Sequence, residues 1–186
     1  MNIQSSIDRN KFNFTNNYQA LSCISKVLNE DIVNITDIHL MKKGMTNRSF
    51  YFQCCGKKYI MRIPGEGTDK LINRKEEASV YHAIAGKDLS DRVLYINPEN
   101  GYKITEFYCD ARVCDADNKL DVKCCLERLK EFHEMKLKVE HEFDLFAQIE
   151  FYESLWQGTF SMYSDYAETK KKVFSLQHYI DAHKEE

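Results

Sequence analysis

Gly44-Met45-Thr46-Asn47-Arg48-Ser49-Phe50-Tyr51-Phe52, continued by Tyr59-Ile60-Met61-Arg62-Ile63, is the stretch that decides the fold of this chain. A turn of mostly small or polar residues feeds a strand over 48–55. Phe50 and Phe52 fall on one face of that strand and Ser49 and Tyr51 on the other. Cys55-Gly56-Lys57 reads as a hairpin turn. Residues 58–63 are the return strand, in which Tyr59, Met61 and Ile63 alternate with Ile60 and Arg62. The product is a pliable loop above a fixed cation. Nucleotide phosphates need that pairing, because backbone N–H groups can close on the oxygens while the cation offsets their charge.

Working outward, Asn16 or Asn17 caps a predicted helix over 18–28 with Leu21, Ile24 and Leu28 on one face. Residues 32–41, with β-branched side chains at 32, 33, 35 and 38, predict a strand. Downstream, Pro64-Gly65-Glu66-Gly67 stops the Arg62 strand. A helix over about 70–85, capped by Asp69, then turns Val80, Tyr81 and Ile84 inward, and Glu77 heads that face. A carboxylate aimed into a domain needs a cation, and Arg62 is the candidate. Residues 92–96 and 101–107 form a hairpin around Asn97-Pro98-Glu99-Asn100-Gly101. Residues 108–118 lack periodicity and read as a linker.

The remainder is helical. The helix over 121–136 carries Val122, Cys125, Leu126, Leu129, Phe132 and His133 on one face, which makes His133 a hydrogen-bonded core residue. Asp144 caps a helix over 145–156, and a single helix is expected over 165–183. Tyr152, Trp156, Tyr163 and Tyr166 could cage a cation, but aromatics at helical spacing more often build a core. The apolar faces of the last two helices are expected to be exposed, swapped between chains or covered in a homodimer.

Composition narrows the function classes. An apolar fraction of 43% with 11 Tyr and 11 Phe supports a real core, and 7 Gly with 2 Pro argue against disorder. A net charge of −3 offers no global attraction to nucleic acid or an anionic membrane. The first ten residues lack an apolar secretory core and no run approaches a membrane span, so a cytoplasmic protein is expected. The 7 cysteines then read as reduced thiols; none forms a CxxC, and no zinc site is expected.

The order strand, loop, strand, strand with a cation, helix with Glu, hairpin, linker, helices resembles a protein-kinase-like nucleotide lobe. Gly44-Met45-Thr46-Asn47 resembles the phosphate loop of choline and ethanolamine kinases. Arg62 stands where the wider superfamily has lysine and choline kinases have arginine. Phe132-His133-Glu134-Met135-Lys136 is similar to their Phe-His-x-Met-Lys helix. Asn73-Arg74 and the hairpin at 97–101 look most like bacterial choline kinases. The resemblance covers about residues 28–160.

It implies an α+β fold: a lobe at 1–108 with about five antiparallel strands and one helix, then at 109–186 a linker and the first helices of an incomplete C-terminal lobe. It implies ATP-dependent transfer of a phosphoryl group to the hydroxyl of choline or a similar amino alcohol. Gly44, Thr46, Asn47 and Ser49 would meet the ATP phosphates. Arg62 would hold the α/β-phosphates and pair with Glu77. The backbone from Glu106 to Tyr108 would meet adenine. The family's catalytic loop and its magnesium-binding Asp match no position here and are expected beyond residue 186. Within these residues no catalytic group or metal ligand is expected, and the chain reads as part of a longer enzyme. An aminoglycoside-type phosphotransferase and a non-catalytic nucleotide-binding or interaction module are the alternatives.

Overall fold

The structure, a computed structural model, describes residues 18–41, 47–156 and 158–183. The chain divides into two compact units, Met1–Glu140 and His141–Glu186. The division at residue 108 read from the sequence is one of kinship with kinase lobes and stays a proposal.

The first unit is built on a five-stranded antiparallel sheet, β1 (Ile35–Leu40), β2 (Asn47–Cys54), β3 (Lys57–Pro64), β4 (Val93–Ile96) and β5 (Lys103–Glu106), in the order β1-β2-β3-β5-β4. β2 and β3 pair without interruption from Asn47↔Pro64 to Cys54↔Lys57. Cys55 and Gly56 both take positive φ, 50° and 76°, which gives the two-residue hairpin turn whose twist matches that of the strands.

The strand alternation separates two chemistries. One face presents Phe50, Phe52, Cys54, Tyr59, Met61 and Ile104 to α1 (Tyr18–Leu28), whose Ala20 and Ile24 complete the buried core. The opposite face carries Ser49, Arg62 and Lys103 in one cross-strand row, because Ser49 pairs with Arg62 and Arg62 with Lys103. A register slip of one residue would exchange the faces, and the apolar row holds the register against that.

Several sequence expectations change. The predicted strand over 32–41 begins as a 3-10 turn, Ile32–Asn34, and β1 is irregular where Asp37 adopts φ 50° between the Thr36 and His39 pairings. Val33 is 83% exposed, so its β-branching reflects no buried strand position. The Glu77 helix, α2 (Arg74–Ile84), is shorter than predicted, and its cap is Asn73, not Asp69. Asn73 Oδ1 accepts from the Lys75 and Glu76 N–H groups at 3.2 and 3.3 Å, whereas Asp69 lies inside a 3-10 turn, Thr68–Lys70. Val80 faces out, because Arg74, Glu77, Ala78 and Tyr81 form the inward stripe.

α3 (Lys119–Glu134) is capped by Asn118 and tied to the turn after α2 by Arg128, which donates to the Lys87 and Asp88 carbonyls at 2.8 Å. Its predicted apolar face is exposed apart from the half-buried Val122, and His133 is an exposed residue and not a core one. In the second unit, α4 (Leu145–Ser154) starts at the expected Asp144 cap, and its buried Phe146 meets Phe174 edge-on at 5.3 Å. The single helix predicted over 165–183 is two, α5 (Tyr166–Phe174) and α6 (Gln177–Ala182). The break falls at Ser175 and Leu176, where the Ser175 hydroxyl donates to the Lys172 carbonyl at 2.7 Å. Tyr166 donates to Glu153 at 2.6 Å and Lys170 pairs with the same carboxylate, so these side chains serve local packing.

Truncating a large side chain in the α1-facing core tests this layering. Phe52→Ala is expected to cost about 3–5 kcal/mol by the loss of buried surface and the cavity left behind. Urea denaturation followed by circular dichroism measures it, and a cost below about 1 kcal/mol would contradict a core centred on Phe52.

Candidate functional site

The cationic row of the sheet meets α2 at Glu77. The Arg62 guanidinium grips the Glu77 carboxylate with both terminal nitrogens, at 2.5 and 2.8 Å. The planar fork matches the two carboxylate oxygens, so the pair fixes both distance and orientation between β3 and α2. Arg62 also donates to the Gly101 carbonyl at 3.3 Å. The Arg62 and Glu77 side chains are 11% and 21% exposed, so water screens the pair only in part.

Two further cations surround the same carboxylate. Arg74, one helical turn before Glu77, places a terminal nitrogen 3.6 Å from it. Lys103 donates to the Tyr81 hydroxyl at 2.6 Å and lies 4.0 Å from the centre of that ring. Burial pushes the Glu77 carboxyl up, but the Arg62 hydrogen bonds and the charges of Arg62, Arg74 and Lys103 outweigh it and hold the group below its ordinary value. One anion among three cations leaves this corner with positive charge to spare.

Asn47 and Ser49, on β2, stand near the end of this row; Ser49 pairs across the ladder with Arg62 and its carbonyl accepts from Met41 at 2.8 Å. Gly44 and Thr46 lie outside the described residues. At the far end of β5, the Phe107 N–H donates to the Lys58 carbonyl at 3.0 Å and the Glu106 N–H to Arg92 at 3.1 Å. The Tyr108 N–H has no partner among the described residues. The Glu106 carboxylate pairs with Arg92 at 3.0 Å, away from Glu77. Tyr108 borders a cavity of about 340 Å³ with Tyr81, Ile84, Arg92 and Val93. Thus Ser49, Arg62 and Glu77 come together, while Glu106 and Tyr108 form a second group at the other end of β5.

Sequence reasoning missed three participants. Arg74 shares the inward helix face with Glu77 at spacing i, i+3, a signal that was present but given no role. Lys103 needed the β3–β5 register, and the Gly101 carbonyl needed the hairpin to fold back onto Arg62. Gly101 also has φ 68°, and a Cβ there would lie 2.7–2.9 Å from Pro64 and Arg74 atoms. Only glycine fits that approach without a shift. Among the described residues no three His, Cys, Asp or Glu side chains are placed to hold a metal ion, and no helix is long and apolar enough to cross a membrane.

A twisted antiparallel sheet with a carboxylate-bearing helix clasped to a strand cation is the kinase-like α+β arrangement expected from the sequence. Residues 38–185 match the choline/ethanolamine kinase family, and the chain belongs to it. The chain is similar to the solved choline kinase LicA from Streptococcus pneumoniae, with 25% identity and a TM-score of 0.69 over 87% of this chain and 55% of that one. A structure of LicA in complex with AMP matches with 22% identity and a TM-score of 0.63, over 89% of this chain and 58% of that one. The chain therefore spans a little over half the length of these solved relatives. No curated protein matches it.

The Glu77 cluster has a pH signature. Because the folded-state carboxyl lies below its ordinary 4.5, the ion pair stabilises fully above that value and is lost as pH falls through the folded pKa. Glu77→Gln is expected to lower stability by about 3 kcal/mol at pH 7, by leaving Arg62 buried without its anion. Melting curves of both proteins between pH 7 and 2.5 should converge at the acid end. A gap that persists unchanged would show that Glu77 is not the titrating partner.

Proposed function

We propose that this chain carries the nucleotide lobe of an ATP-dependent phosphotransferase acting on the hydroxyl of choline or a similar amino alcohol. The observation that carries the reading is the Arg62–Glu77 clasp at the end of the cationic sheet row, within a chain of the choline/ethanolamine kinase family. The corner suits a polyphosphate: three cations face one carboxylate, and a phosphate would use charge that Glu77 leaves uncompensated. LicA, whose fold this chain shares, has been solved with AMP, which supports a nucleotide in this lobe.

In this reading Arg62 binds the α/β-phosphates, and Ser49 with the 44–47 segment approaches the phosphates from the β2 side. The Tyr108 N–H and the neighbouring Glu106 backbone orient adenine. Glu77 keeps the guanidinium from rotating away, so that charge stabilisation is in place before the nucleotide arrives. ATP supplies the transferable phosphoryl group. The magnesium that accompanies ATP in such transfers finds no ligand set among the described residues and enters no step here. The proposal extends to a cytoplasmic enzyme and to a homodimer that covers exposed apolar side chains of the last helices, such as Tyr152, Leu176 and Ile180.

Isothermal calorimetry with ATP and magnesium tests the reading on the whole chain. Wild type is expected to bind, and Arg62→Ala to weaken binding by roughly a hundredfold, the loss of about 3 kcal/mol of charge-assisted hydrogen bonding. Binding that is equal in both proteins, or absent from wild type, would overturn it.

A further inference from the structure

The segment 112–118 is wound onto the start of α3, and Asp121 in the first turn of that helix is its anchor. Arg112 grips both oxygens of the Asp121 carboxylate, one of them at 2.8 Å. The Asp115 N–H donates to the same carboxylate at 3.1 Å. The Arg112 hydrogen bonds, and after them the Asp115 N–H, hold the Asp121 carboxyl down to about 2, so the anchor is ionised near neutral pH. The Asn118 N–H closes the turn by donating to the Asp115 carbonyl at 3.1 Å. Cys114 lies between the two residues that hold Asp121. Cys125 lies four residues after Asp121, on the same face of α3.

This winding brings two thiols together. The Cys114 S–H donates to Cys125 Sγ, and the Arg112 guanidinium lies close enough to both sulfurs to act on each. Sulfurs in hydrogen-bond contact need to approach by only about 2 Å to reach the S–S bond length of about 2.05 Å. Both residues are exposed, so a small oxidant reaches them. The neighbouring thiols are less suited. Cys124 is turned from Cys125 by about 100° around the helix. Cys109 is engaged by the Lys58 ammonium, which donates to its sulfur at 3.3 Å. Cys54 and Cys55 also meet, and their peptide bond is trans. Their Cα atoms are then only about 3.8 Å apart, short of the roughly 4.4–6.8 Å that a disulfide spans.

We propose that Cys114 and Cys125 form a reversible dithiol–disulfide site, oxidised by small disulfides such as oxidised glutathione, that locks the segment after β5 onto α3. The Cys125 thiolate attacks one sulfur of the small disulfide; a mixed disulfide forms and one small thiolate leaves. Cys114 then gives its proton to solvent and attacks Cys125 Sγ, and the second small thiolate leaves. Two protein thiols and one small disulfide become one protein disulfide and two small thiols, so the two electrons pass to the reagent and no other oxidant is needed. The hydrogen bond to Cys125, and after it burial, holds the Cys114 thiol above its ordinary value. Cys114 therefore keeps its proton during the first attack and serves as the resolving thiol. In a reducing compartment the pair rests as thiols, and a shift toward oxidised glutathione closes it. The site stands apart from the Arg62 corner and does not rest on the nucleotide reading.

The test is a disulfide map of the whole chain equilibrated in glutathione buffers of rising oxidised fraction, quenched by alkylation and cut with trypsin. Cleavage after Arg112, Lys119, Lys123 and Arg128 releases peptides 113–119 and 124–128, which carry Cys114 and the Cys124–Cys125 pair. Mass spectrometry is expected to find these two joined at least tenfold more than any other pair of peptides, and dithiothreitol to separate them. The joined species should persist in Cys124→Ser and vanish in Cys125→Ser, where Cys114 is left as its glutathione adduct. Asp121→Asn, which loosens the Arg112 grip, should lower the joined fraction severalfold at a fixed glutathione ratio. Amide exchange across 113–120 should slow severalfold once the bond has formed. The wild-type map stands even if a variant fails to fold. Only glutathione adducts at every ratio, a Cys114 bond to Cys109 or Cys124, a joined fraction unchanged by Asp121→Asn, or unaltered amide exchange would overturn the proposal.

Discussion

A single carboxylate organises the first unit of this protein. Glu77 lies among Arg62, Arg74 and Lys103, and its pairing with Arg62 joins α2 to the sheet. Ion pairs at a surface contribute little, because water competes for both partners. This one is largely enclosed, bidentate and supported by the Gly101 carbonyl, so its geometry is fixed as well as its energy. The excess of positive charge around it is costly to maintain in a folded protein. That cost is consistent with a corner arranged for an anionic ligand and not for stability alone.

The opposite face of the sheet makes the arrangement affordable. Phe50, Phe52, Met61 and Ile104 are fully enclosed against α1, so the strands are held in register by apolar burial that owes nothing to the charged face. β2 and β3 can then project Ser49 and Arg62 from positions next to those apolar anchors. Each strand residue is one step from a core residue that locates it, which is how the sheet offers a rigid base for charge.

Much of this was readable in advance, and the reasons differ by element. The β2–β3 hairpin was legible because its alternation and its Cys55-Gly56 turn are both local. Glu77 and Arg62 could be paired on paper because a helix face and a strand face each have a fixed period. The position of the α2 cap was misread because Asp69 and Asn73 are both competent caps, and the choice depends on which backbone N–H groups are left over after the 3-10 turn. His133 was misread because helical periodicity identifies an apolar face but not whether anything covers it. The split between α5 and α6 falls at Ser175-Leu176, where no glycine or proline marks a stop in the sequence.

The amino-acid sequence by itself determined the two chemistries of the sheet, the cation on β3, the carboxylate on α2 and the kinship of the chain, since all of these are carried by residue type and short-range period. Only the tertiary structure decided that Lys103 stands beside the same carboxylate and that the Gly101 backbone supports Arg62 and backs Arg74. Their positions are set by the β3–β5 register and by the return of the 97–101 hairpin onto α2, and contacts between residues 22 or more apart in the chain have no local period from which to be read.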